Sequence, residues 1–119
     1  MLWNTISKGL NVKLYYFIQP VSSWCKIKTC NQEKDIFALE DKDEKLKKIF
    51  KHVNHKKYIF LKKIIFHETR KNKIPCYDLN QFFSKKKFEN KWLFSGKFHL
   101  TDEGSTLATK FIISKIIKG

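Results

Sequence analysis

The chain has 119 residues, enough for one small domain with a single hydrophobic core. Hydrophobic residues make up 42% and aromatic residues 15%, which excludes a disordered chain, and there is no run of about 18 apolar residues such as a membrane span needs. The formal net charge of +14 means that a nucleic-acid or anionic-surface partner must be weighed.

The basic character comes almost entirely from lysine. Of the 25 basic residues only Arg70 is an arginine, whereas proteins that read bases and phosphates favour the bidentate guanidinium. Abundant lysine, isoleucine, asparagine and phenylalanine are also typical of an AT-rich coding sequence. We therefore expect weak attraction to phosphate and no specific nucleic-acid binding. A noncatalytic basic binding module for nucleic acid or an anionic surface stays the alternative function.

Cysteine use and the first residues bear on the compartment. Cys25, Cys30 and Cys76 are an odd and sparse set, which does not make a disulfide scaffold. The first eight residues lack the basic region and long apolar core of a signal peptide. We predict a cytoplasmic protein.

The first third of the chain contains the best predicted strand. Residues 1–10 favour a short helix, and Val12–Ile18 is β-branched, aromatic and apolar on both faces, as is typical of a strand buried in a parallel sheet. Gln19-Pro20 ends it, because proline cannot continue the ladder.

The middle of the chain reads as helices with lysine on the solvent side. Residues 29–39 favour a helix with Ile36, Phe37 and Leu39 packed inward, and residues 46–53 keep helical spacing. Asn54-His55 is predicted to break that helix, which resumes over residues 58–68.

A second strand is predicted at Ile74–Tyr77, with the early proline suited to a strand start. Helical sequence separates it from Val12–Ile18, so we predict that the two strands are parallel neighbours. Lys85, Lys86 and Lys87 then form an exposed connection, and Trp92, Leu93 and Phe94 return the chain to the core.

The C-terminal segment carries the most informative pattern. Thr101–Glu103 reads as a helix start, with Thr101 or Asp102 as the cap, and apolar residues recur at helical spacing over Leu107–Ile117, with Gly119 as a stop. His99 precedes this helix on a short loop. A loop held by an anchored helix suits a catalytic base, and an ordinary loop histidine is the alternative.

The sequence of Phe94–Gly104, FSGKFHLTDEG, followed by Leu107-Ala108 and an aliphatic helix, resembles the last conserved block of the SGNH (GDSL-type) hydrolases. Tyr16–Trp24 is similar to a strand end and loop of that family, and Ile74–Asn80 to its penultimate strand. The resemblance spans roughly Val12 to Ile117. It implies a partial three-layer, flavodoxin-like α/β fold with parallel strands flanked by helices, in one domain over residues 1–119.

The resemblance also implies site residues. His99 maps onto the family's catalytic base, and Gly96 stands where the family has the aspartate that orients this base. The orienting carboxylate is therefore absent unless Asp102 or another group replaces it. Gln19, Ser22 and Trp24 follow the first strand and are candidates for a substrate pocket, since ligands bind at the carboxyl ends of such strands. Trp24 as a mere cover for the sheet edge is equally compatible with the sequence.

The family's Gly-Asp-Ser-type nucleophile block and its oxyanion-hole blocks have no match here. The chain therefore resembles the C-terminal part of an ester or acyl hydrolase acting on a small-molecule, carbohydrate or lipid substrate, with no cofactor. We expect no hydrolysis by this chain alone, because serine, base and oxyanion donors act together. A separate N-terminal portion is an expected partner, and Gly96→Asp is expected to raise the turnover of the assembled enzyme.

Two other kinds of site have weaker patterns. Cys25, Cys30, His52 and His55 supply sulfur and imidazole ligands for zinc, but their spacing is not that of the common zinc fingers. We predict no metal site. A free Cys25 or Cys76 as a nucleophile has only His99 as a conceivable partner.

Overall fold

The computed structural model describes residues 2–25 and 27–118, so the stop predicted at Gly119 lies outside the described residues. The fold is mixed α/β. Its helices are α1 Leu2–Gly9, α2 Asn31–Glu40, α3 Glu44–Lys51, α4 His55–Lys71, α5 Leu79–Phe83 and α6 Asp102–Lys118. Its strands are β1 Tyr16–Ile18, β2 Cys76–Asp78, β3 Phe94–Gly96 and β4 His99–Leu100, and short 3₁₀ turns cover Ser22–Trp24 and Lys86–Phe88.

Strands β1 and β2 form a parallel pair, as predicted, with Phe17 opposite Tyr77. Both strands are shorter or shifted relative to the sequence prediction. Val12 is 55% exposed and precedes the paired part of β1, so the predicted start of that strand is wrong. Pairing starts where the Tyr16 N–H donates to the Pro75 carbonyl at 2.9 Å, because proline has no N–H of its own to add an earlier bond.

One edge of β1 is open. The Tyr16 N–H points to β2, and alternate residues of a strand direct their backbone groups to opposite neighbours, so the N–H and C=O of Phe17 point away from β2. Within residues 2–25 and 27–118, β1 pairs with β2 only.

Helices contact both faces of this pair. Asp78 is bonded to Lys62 of α4 at 2.9 Å, whereas the ring of the preceding Tyr77 meets Phe111 of α6 edge-on at 6.4 Å. Successive strand residues point to opposite faces, so α4 and α6 lie on opposite sides of the pair. This arrangement agrees with the predicted α/β class.

The β3–β4 hairpin is antiparallel and is held by two glutamates of α2. Glu33, which is 1% exposed, accepts the N–H groups of Leu93 at 2.8 Å and Phe94 at 3.0 Å through Oε1. Glu40 accepts the N–H of Lys97 at 3.0 Å through Oε2. The two glutamates are about two helical turns apart and so face the same strand segment.

The core is an aromatic cluster between α5, β3 and α6. Phe83 and Phe94, at 0% and 2% exposure, lie 6.2 Å apart between ring centroids, and Phe82 stacks on Phe111 at 4.4 Å. Each such buried ring contributes about 1.5–3 kcal/mol. Leu93 is fully buried beside them, but Trp92 is 45% exposed, so the prediction that Trp92 returns to the core is wrong.

The helix break predicted at Asn54 is confirmed, with a different restart. The Asn54 side chain accepts the N–H of Lys57 at 2.9 Å and thereby caps α4, which begins at His55 rather than at residue 58. Leu39, predicted to pack inward, is 65% exposed at the end of α2. None of the helices in the described part of the chain is long and apolar enough to cross a lipid bilayer.

Helix α6 starts as predicted, and the structure shows which of the two candidate residues caps it. Thr101 Oγ1, rather than Asp102, accepts the N–H of Gly104 at 3.1 Å. A Cβ on Gly104 would stand 2.3 Å from the Leu93 carbonyl oxygen, so only glycine lets α6 approach β3 this closely. The predicted apolar face does not stay buried to its end, because Ile116 is 45% exposed and Ile117 78% exposed.

Candidate functional site

Two chain segments meet beyond the carboxyl end of β1. The Gln19 side chain donates from Nε2 to the Phe98 carbonyl at 3.3 Å, and the Ser22 N–H donates to the Lys97 carbonyl at 3.0 Å. The loop after β1 therefore runs beside the chain that leads into His99. These contacts bring the Gln19–Trp24 loop and the segment before His99 together.

Asn80 fastens this loop to the second strand. It is fully buried, donates from Nδ2 to the Gln19 carbonyl at 2.9 Å, and accepts the Val21 N–H at 2.8 Å. Asn80 is itself held by Asp78, whose Oδ1 accepts its N–H at 2.9 Å. A single buried amide thus joins the ends of β1 and β2.

Asp78 lies under the site and is charged at neutral pH. Burial alone raises its pKa, but hydrogen bonds from Tyr58, Lys62 and Asn80 outweigh burial and hold the pKa of this carboxyl below its usual value. The Tyr58 hydroxyl donates to Oδ2, and burial together with this bond raises the pKa of Tyr58. The Asp78 carboxylate is accordingly engaged in structure, with its oxygens already bonded.

The two cysteines considered as nucleophiles are poorly suited to that role. Burial, with the charges of Asp78 and Glu33 nearby, raises the pKa of Cys25 to about 12. Burial also raises the pKa of Cys76. Because the thiolate is the reactive species, both thiols are less reactive at neutral pH than an ordinary cysteine.

The candidate pocket residues line two cavities rather than one. Ser22 borders a cavity of about 430 Å³ whose apolar walls include Phe37 and Phe50. Gln19 and Trp24 border a second cavity of about 370 Å³ that runs along β1. Val21 and Phe98 line both cavities.

Trp24 also has a structural role, so both interpretations of this residue have support. Its ring stacks on Tyr58 at 4.9 Å, and its indole N–H donates to the Val53 carbonyl at 3.3 Å. These contacts hold the 3₁₀ turn that follows β1 against α4.

His99 lies at the start of β4, opposite Gly96 in the hairpin register. It is exposed and lines neither of the two cavities beside the Gln19–Trp24 loop. Gly96 is buried, so the position that the resemblance gives to an aspartate is enclosed by neighbouring atoms. The imidazole is therefore available to a group that approaches from outside the chain.

The four residues considered for zinc are not gathered into one site. Cys25 and Cys30 are buried, whereas a ring nitrogen of the exposed His52 lies 3.3 Å from Lys57 Nζ. Among the described residues, no three side chains of the histidine, cysteine, aspartate or glutamate type are grouped as metal ligands. His55 borders the larger cavity, with its Nε2 buried and without a hydrogen-bond partner.

Sequence reasoning missed the roles of Glu33, Glu40 and Asn80, which bond to distant backbone groups. The only local signal is the Asp78-Leu79-Asn80 pattern directly after a strand, which favours side-chain bonds to nearby backbone.

The sequence matches no protein-family model and no curated protein. The function of this chain therefore has to be inferred from the residues at the carboxyl end of the parallel pair.

Proposed function

We propose that this chain is the C-terminal part of an SGNH-type serine hydrolase that cleaves ester or acyl bonds. In this proposal His99 is the catalytic base, and a separate N-terminal portion supplies the nucleophilic serine and the oxyanion-hole donors. The observation that carries the proposal is the bond from Gln19 to the Phe98 carbonyl, which ties the segment before His99 to the carboxyl end of β1. Parallel sheets bind their ligands beyond this end of their strands.

The open edge of β1 supports an N-terminal partner. Phe17 directs its backbone N–H and C=O away from β2, and the cavity along this edge is lined by Leu61, Ile65 and Phe98. A further strand from the N-terminal portion would satisfy these backbone groups and cover the apolar groove. The sheet would then gain the additional strands that the proposed fold requires.

The 430 Å³ cavity is the proposed place for the acyl group of the substrate. Ser22 and Phe98 border it, which sets it close to the chain before His99. Lys97 also borders it, but its ammonium group is paired with Asp41 and lies 4.2 Å from the centroid of the Phe50 ring. The cavity therefore favours an uncharged, apolar acyl group over an anionic one.

The proposed compartment is the cytoplasm. Cys25, Cys30 and Cys76 are free thiols in the structure. Free buried cysteines are typical of proteins from reducing compartments.

The decisive experiment is complementation. The genomic sequence upstream of Met1 is read for an in-frame Gly-Asp-Ser-type block, that segment is co-expressed with this chain, and hydrolysis of short-chain p-nitrophenyl esters is measured. We expect turnover in the assembled pair and its loss, by about 10³-fold or more, in His99→Ala. His67→Ala, an exposed histidine on α4, is the matched control and leaves turnover unchanged. Equal turnover of the His99→Ala pair would overturn the proposal.

A basic binding module is the second candidate function, and the surface charge favours it. The net charge is +14, and exposed lysines crowd α3 and the start of α4. They are Lys45, Lys47, Lys48, Lys51, Lys56 and Lys57. Binding of DNA or RNA is measured at increasing salt. Nonspecific attraction is expected to vanish by about 200 mM salt, whereas a sequence-selective complex that survives this concentration would favour the binding module.

A further inference from the structure

The vacant side-chain position at Gly96 is flanked by a carboxylate and an imidazole nitrogen. A Cβ placed on Gly96 would lie 2.8 Å from Glu40 Oε1 and 3.9 Å from His99 Nδ1. Gly96 itself is buried, Glu40 is half-buried and His99 is exposed. Glu40 Oε1 and His99 Nδ1 therefore both lie beside the position of the missing side chain.

A hydrogen bond to its second oxygen fixes the position of the Glu40 carboxylate. Oε2 accepts the Lys97 N–H at 3.0 Å, which keeps the carboxylate at the hairpin while Oε1 stays directed toward Gly96. Asp41, the next residue, has its carboxylate paired with Lys97 Nζ. Asp102, another acid close to His99 in sequence, is exposed in α6 and borders a separate surface groove with Ser105.

We propose that Glu40 is the positioning residue of His99 and accepts a hydrogen bond from its Nδ1–H. A rotation about the Glu40 side-chain bonds, through the space left by Gly96, closes the remaining gap. An acceptor at Nδ1 fixes the tautomer that leaves Nε2 free to take a proton, as a general base requires. The catalytic consequence rests on the proposed hydrolase function, whereas the pairing itself does not.

This inference explains the departure at residue 96. A carboxylate arriving from α2 occupies the space that an aspartate on β3 would need, since any Cβ there meets Glu40 Oε1 at 2.8 Å. Glycine at 96 and glutamate at 40 are then two parts of one arrangement. In this proposal Gly96→Asp alone pushes the Glu40 carboxylate aside and gives no gain in turnover, whereas the resemblance leads to the expectation of a gain, so the turnover of this variant distinguishes the two.

The pairing is tested on the full chain by ¹⁵N NMR of the imidazole nitrogens at a pH where His99 is neutral. We expect the Nδ1–H tautomer to predominate and the tautomer ratio to fall about five- to tenfold in Glu40→Gln, because the charged acceptor is lost. Asp41→Asn is the matched control, since it removes a neighbouring carboxylate and is expected to leave the ratio unchanged. A ratio that is the same in Glu40→Gln and the wild-type chain would overturn the inference.

The catalytic consequence is tested by rescue in the assembled enzyme. Glu40→Gln is expected to lower kcat about 10- to 100-fold with little change in KM, as loss of a group that orients a functional histidine does elsewhere. Glu40→Ala combined with Gly96→Asp is expected to restore kcat relative to Glu40→Ala alone, because removal of the longer side chain makes room for the new carboxylate. An assembled enzyme that requires His99 but is indifferent to Glu40 would refute this inference and leave the proposed function standing. A tautomer ratio that depends on Glu40, in a pair that shows no hydrolysis, would support the pairing and refute the proposed function.

Discussion

Removal of the Glu33 carboxylate tests how the hairpin that carries His99 is held. Glu33 is 1% exposed, and its acceptors serve the N–H groups of Leu93, Phe94 and Cys30 at 2.8, 3.0 and 3.3 Å. Glu33→Ala leaves the first two amides buried without an acceptor, at about 1–3 kcal/mol each, and removes a capping interaction worth about 1 kcal/mol.

The expected loss in the free energy of unfolding is about 3–5 kcal/mol, somewhat less than these contributions together, because burial of the carboxylate is itself unfavourable. A domain of this size has a total stability of about 5–15 kcal/mol, so the variant is expected to be marginally folded. Glu33→Gln keeps an oxygen for Leu93 and Phe94 and is expected to cost about 1–2 kcal/mol.

The assay is urea unfolding followed by tryptophan fluorescence and far-UV circular dichroism. Asp35→Ala is the matched control, because it removes one acidic side chain from an exposed position of the same helix and is expected to stay within about 0.5 kcal/mol of the wild-type chain. A Glu33→Ala chain that unfolds within about 1 kcal/mol of the wild-type chain would refute the reasoning that Glu33 fastens α2 to β3.

Three further measurements address the residues below the site. The pKa of Asp78 is lowered in the folded state, so the contribution of this carboxylate to stability is present above about pH 4 and is lost as the pH falls through the lowered value. When the urea midpoint is plotted against pH, Asp78→Asn is expected to flatten the acid side of the curve. Asn80→Ala is expected to cost about 2–4 kcal/mol, against less than about 0.5 kcal/mol for the exposed Gln81→Ala, and equal unfolding midpoints would contradict this. Iodoacetamide at about pH 8 is expected to modify Cys25 at least about tenfold more slowly in the folded chain than in urea, as measured by peptide mass spectrometry, and equal rates would show that this thiol is accessible.

Local sequence patterns predicted the parts of the fold that depend on neighbouring residues. The Thr101 cap and the break at Asn54 require only a side chain that bonds to the backbone two or three residues onward, and both are present. The parallel pair was also predictable, because an apolar β-branched run and a proline-led strand lie on either side of helical sequence. The length of β1 was not predictable, because Val12 lies in a sequence typical of a strand but pairs with no other strand among the described residues.

The candidate site was predictable only in part. The resemblance pointed to the chain around His99 and to the loop after β1, and the bond between Gln19 and the Phe98 carbonyl joins those two segments. Glu33 and Glu40 were beyond sequence reasoning, because their acceptor role depends on backbone amides about 60 residues away. Nothing in the helical spacing of α2 distinguishes these two acids from solvated ones until the hairpin is placed against them.

The spacing of Glu33 and Glu40 along α2 fixes the position of the hairpin relative to this helix. About two helical turns of α2 match the distance from the Leu93 N–H to the Lys97 N–H along the hairpin, so helix pitch sets which amides are reached. One residue inserted or deleted between the two glutamates would turn Glu40 by about 100° around the helix and away from Lys97. We therefore expect length changes in this segment to destabilise the hairpin far more than length changes in the turn at residues 41–43.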